Sequence, residues 1–74
     1  MKISIKTIVA GMPNEELKTA FLELSEWINT GILTDGIVRR YHALYEEKMG
    51  YEIDLKVTER AILFELGKRA VQVL

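Results

Sequence analysis

The chain has 74 residues, near the lower limit at which one hydrophobic core holds without disulfides or a metal, and it is read as a single domain over residues 1–74. Its apolar fraction of 49% and charged fraction of 28% belong to a folded chain and exclude a disordered one. Ten basic residues against eleven acidic ones leave a formal charge of -1, which excludes a long-range field toward nucleic acid or an anionic membrane.

Residues 2–9 are rich in β-branched side chains, with Ile3, Ile5, Thr7 and Val9 on one side and Lys2, Ser4, Lys6 and Ile8 on the other, which predicts a strand. Ser4, Lys6 and Thr7 also interrupt the apolar run, and nothing in the chain approaches the roughly 20 residues of a membrane span, so neither a leader nor a membrane helix is expected. Gly11 and Pro13 break the pattern, and Asn14-Glu15-Glu16 supplies a cap and two carboxylates suited to the positive end of a helix dipole. The helix that follows places Leu17, Ala20, Phe21, Leu24, Trp27 and Ile28 on one face and stops at Asn29-Thr30-Gly31. Leu22 falls on its other side, where a leucine is either ordinary surface or a contact point.

Thr34-Asp35-Gly36 offers a cap for a second helix over residues 35–49, with Ile37, Val38, Tyr41, Leu44, Tyr45 and Met49 on its inner face and Gly50 as its stop. The short connection predicts a helical hairpin. In residues 51–57, Tyr51, Ile53, Leu55 and Val57 alternate with Glu52, Asp54 and Lys56, which predicts a second strand with one wet face. Its acidic residues would complement Lys2 and Lys6 across an antiparallel pair, at roughly 0.2–1 kcal/mol for each pair. Thr58 then caps a last helix running to Leu74. The expected fold is therefore α+β, in the order β-α-α-β-α, with a small two-stranded antiparallel sheet on three helices.

More than half of the last helix is apolar around its circumference, and only Glu65, Lys68, Arg69 and Gln72 form a polar stripe. Gly67, inside the apolar arc, permits another backbone to come close. Together with the open edge of a two-stranded sheet, this predicts a homodimer or higher oligomer through Leu63, Gly67, Val71 and Leu74. The competing arrangement buries the last helix between the sheet and the hairpin of one chain.

Catalysis finds little support. His42, the only histidine, has Glu46 at i+4 and Arg39 one turn back, but no nucleophile, acid partner or phosphate loop stands at recognisable spacing, and the expectation is no enzyme and a solvated His42. One histidine, no cysteine and scattered carboxylates build no metal shell, and no cofactor is expected. The lack of cysteine fits a reducing compartment and makes the cytoplasm the expected location.

Nucleic-acid binding has a specific case. Two helices joined by a turn suit a helix-turn-helix with helix 35–49 as reader, carrying Arg39, Arg40 and His42 outward. Glu46 and Glu47 on the same helix, with Glu15, Glu16, Glu23 and Glu26 on the one before it, would repel phosphates, and Tyr41 and Tyr45 lie on the apolar side. A DNA-binding regulator is thus the alternative. The preferred expectation is a non-catalytic regulator, inhibitor or adaptor that occludes or bridges another protein through Arg39, Arg40, His42, Ala43 and Glu46, with Leu22 as a further contact. Length, composition and the missing catalytic set have the general look of small phage or mobile-element proteins, a likeness of style that rests on no motif.

Overall fold

Ser4 opens the structure, a computed structural model that describes residues 4–73, by accepting the Lys6 N–H on its hydroxyl at 3.1 Å. That cap starts a helix, α1 (Ile5–Ala10), where a strand was expected. Ile5 and Val9, four apart, share a side under either periodicity, so the β-branched pattern could not distinguish the two. Both are buried, and α1 packs against α3 and α4. Residues 2 and 3 of the expected strand lie outside the described residues. Gly11 closes α1 by donating to the Ile8 carbonyl, and Met12 drops into the core behind it.

The two middle helices follow the sequence closely. Helix α2 (Asn14–Thr30) buries Leu17, Ala20 and Leu24 and ends at Gly31, whose φ of 79° is the left-handed conformation that favours glycine. Phe21 and Ile28, expected on the inner face, are exposed. Helix α3 (Ile37–Met49) ends the same way at Gly50, with φ of 82°.

The second expected strand is absent as well, and the fold is all-helical among the described residues, not α+β. Residues 51–54 are irregular, and Asp54 accepts the Lys56 N–H at 2.9 Å to cap α4 (Leu55–Gln72), four residues before the expected cap at Thr58. The physical reason lies at Ile53. Its N–H donates to the Glu46 carboxylate at 2.8 Å and its carbonyl lies 2.9 Å from a ring nitrogen of His42, so side chains of α3 satisfy the groups a ladder would have paired. With no sheet, Lys6 has no acidic strand to face and lies 5.4 Å from the centre of the Phe64 ring.

The core gathers Ile5, Val9 and Met12, the buried face of α2, Leu33 from the loop before α3, Val38, and Ala61 with Ile62 from α4. Helix α4 touches all three others, yet its buried residues end at Ile62. The molecule is a slab of 37 × 32 × 16 Å, too thin to cover both sides of that helix. Leu63, Phe64, Val71 and Val73 are left exposed. Arg69 fastens the far end of α4: its guanidinium donates to Glu65, to the Asn14 side-chain oxygen and to the Ala10 carbonyl.

Candidate functional site

The N-terminus of α3 forms one wall of a groove. Its first amides have no partner within the helix, and the expected caps, Thr34 and Asp35, do not bind them. Glu23 of α2 takes their place, accepting the Ile37 N–H at 3.0 Å and the Val38 N–H at 2.9 Å. A carboxylate here satisfies two donors and offsets the positive end of the helix dipole. Gly36 leaves room for it, because a Cβ there would overlap the carboxylate, 2.9 Å from its carbon and nearer still to Oε2, and would force the Glu23 side chain to shift.

His42 is not solvated. Its side chain is 12% exposed and turned toward the start of α4. A carbonyl only accepts, so Nε2, 2.9 Å from the Ile53 oxygen, carries the hydrogen, and Nδ1 pairs with the Thr58 hydroxyl at 2.7 Å. Thr58 is fully buried. Glu46, bonded to the Ile53 N–H, also lies 3.3 Å from Nε2. Both ring nitrogens are therefore engaged within the fold.

The two arginines are engaged too. Arg39 donates through Nε to the Leu33 carbonyl at 3.2 Å. Arg40 donates to Glu16 at 2.7 Å, and the Tyr41 hydroxyl donates to the other oxygen of the same carboxylate. The Tyr41 hydrogen bond, and then that of Arg40, hold the Glu16 carboxyl below the usual carboxylate range. The same carboxylate, with burial adding to it, pushes the Tyr41 hydroxyl upward.

The start and outer side of α3 line a groove of about 700 Å³. Five of the six expected partner contacts line it, namely Arg39, Arg40, His42, Ala43 and Glu46, with Glu23, Asp35 and Leu55 completing its walls. Ala43 and Arg40 are exposed, whereas His42 and Glu46 are half-buried and face inward. The expected outer ridge is thus a concave surface with its polar groups tied down. Sequence reasoning gave Glu23 only the role of repelling phosphates and gave Thr58 that of a helix cap. The glycine before Ile37 was the one available sign of a close approach.

Leu22, the sixth contact, lies elsewhere. It lines a second groove of about 570 Å³ between α2 and α4 with Lys18, Phe21, Leu63, Leu66 and Ala70. Leu63 of the expected self-association set is therefore its neighbour. Val71 is 67% exposed, and nothing lies within 4 Å of where a Cβ on Gly67 would stand. Leu74 lies outside the described residues.

Among the described residues no cluster of three or more metal-binding side chains occurs, and no helix is long and apolar enough to cross a membrane. Compared with known proteins, the chain matches no family model, no curated protein and no solved structure.

Proposed function

We propose that this chain is a non-catalytic regulator of the cytoplasm, working as a homo-oligomer, that inhibits or redirects a partner protein by occluding or bridging it. The observation that carries the reading is the convergence of Arg39, Arg40, His42, Ala43 and Glu46 on one groove. A rigid surface loses little entropy on docking, and a groove of both charge signs selects its partner by electrostatic complementarity. Arg40 at its rim, 61% exposed, is a side chain of the type enriched at interface hot spots.

The non-catalytic part is supported by His42, whose two nitrogens serve Thr58 and Ile53 and leave none directed at a substrate. A reader-helix role is disfavoured by Glu23, which occupies the helix end that would meet phosphate, and by Glu16, which partly neutralises Arg40. The cytoplasmic placement rests on the cysteine-free composition.

Affinity capture from the native host's lysate tests the reading, using tagged wild type, Ala43→Arg and Leu22→Asp. The expected result is one protein retained by wild type and by Leu22→Asp and lost on Ala43→Arg. A captured protein indifferent to Ala43→Arg would overturn the groove. Salt-sensitive binding to random duplex DNA, lost on Arg39→Ala and Arg40→Ala, would replace the reading with a nucleic-acid one.

A further inference from the structure

The apolar groove between α2 and α4 has a feature that the α3 groove lacks. Leu22, 67% exposed on its wall, is the midpoint of α2, with eight residues of the helix on either side. We propose that this face binds a second copy of the chain, with α2 antiparallel to α2 of the other copy and Leu22 on the two-fold axis. The inference rests on the homo-oligomeric part of the proposed function and is independent of the α3 groove.

An antiparallel pair centred on Leu22 overlaps the two helices along their whole length. Each residue then faces the one equally far beyond the centre, so Lys18 meets Glu26, Thr19 meets Ser25, and Glu15 meets Asn29. Lys18 and Glu26 are exposed, and among the described residues neither belongs to an ion pair. The two-fold repeats their contact, placing one Lys18–Glu26 bridge on each side of the apolar centre. A parallel pair in the same register would set Lys18 against Lys18 and Glu26 against Glu26. The charges on this stripe therefore select a second copy and fix its direction.

The groove provides the apolar part of the contact. The two Leu22 side chains meet at the axis, and beside them lie Phe21 on α2 and Leu63, Leu66 and Ala70 on α4, which line the same groove in each copy. Gly67 leaves open space above α4, so the incoming helix can approach closely, and the exposed Val71 extends the covered surface. The two copies together form a layer of four helices, α2 and α4 from each, which covers the side of α4 that the thin slab leaves bare.

Sedimentation equilibrium of the full chain tests this, with Leu22→Asp, Lys18→Glu, Glu26→Lys and the double charge swap Lys18→Glu/Glu26→Lys. Far-UV circular dichroism and melting verify folding in each, and all three positions are on the surface. The expected wild-type species is twice 8.5 kDa. Leu22→Asp raises the dimer Kd at least about a hundredfold, because one central residue is lost twice. Each single reversal raises it about tenfold, and the swap returns it to within about threefold of wild type. A wild type that stays at 8.5 kDa at high micromolar concentration overturns both this interface and the homo-oligomeric reading. A dimer indifferent to Leu22→Asp overturns the interface alone, and a swap worse than either single reversal overturns the antiparallel register.

Discussion

The carboxylate of Glu23 fills the space that a side chain on Gly36 would need. One residue caps a helix from fourteen positions upstream, and the other makes room for it. Gly36→Ala should therefore cost about 1–3 kcal/mol by displacing a charged cap and leaving two amides without a partner. In a Glu23→Ala background the same substitution should cost well under half as much, since the obstruction is gone. Urea unfolding of the four chains measures the coupling, and equal costs in both backgrounds would refute it.

His42 and Thr58 form a second coupled pair across α3 and α4. Thr58→Val removes the hydroxyl that satisfies Nδ1 and should destabilise the fold by about 1–2 kcal/mol. His42→Ala should cost more, about 2–4 kcal/mol, because it also strips the Ile53 carbonyl of its donor. The double variant should be more stable than the sum of the single losses implies. Strict additivity in chemical denaturation would show that the bond contributes nothing.

The trio of Glu16, Tyr41 and Arg40 gives stability a defined pH dependence. The folded-state value of Glu16 is depressed, so its contribution is present above the value in the unfolded chain and is lost as pH falls through the folded value. Tyr41 is raised, so its contribution is present below its unfolded value and is lost as pH rises through the folded one. Glu16→Gln should therefore flatten the acid limb below about pH 5, where the unfolded carboxylate begins to take up its proton. Tyr41→Phe should weaken both limbs, and unchanged slopes for both variants in urea midpoints would contradict the pairing.

Arg69 joins the end of α4 to the α1–α2 corner through Asn14 and the Ala10 carbonyl. Arg69→Ala should cost about 1–2 kcal/mol and speed amide exchange in α1 before it does so in α2. Arg69→Lys should rescue little, because a single ammonium cannot reach three acceptors in a fixed fork. Hydrogen exchange resolved by residue decides between this and a solvated surface arginine.

Where one helical face met clear stops, the fold was legible in the sequence. Leu17, Ala20 and Leu24 marked α2, and Gly31 and Gly50 ended their helices in the conformation expected of them. The two strands were misread for different reasons. Ile5 and Val9 fit both periods, and the strict alternation of residues 51–57 held no sign that His42 and Glu46 would take the backbone groups of Ile53. The candidate site was legible as a set of residues and not as a shape. Arg39, Arg40, Ala43 and Glu46 come together, but Glu23, which builds the wall, announces itself only through the absent side chain of Gly36.

The contacts that stand in for a sheet also set an order of assembly. His42 and Glu46 reach Ile53 across eleven and seven residues, whereas Arg69 reaches Asn14 and Ala10 across 55 and 59. Short loops close at lower entropic cost, so the α3–α4 corner is the natural nucleus. Six residues are too few for a helix to hold in water, so α1 must wait for α4, the helix it packs against most. Destabilising substitutions at the corner should therefore slow folding, while those at Arg69 should mainly hasten unfolding, a contrast that stopped-flow kinetics would register.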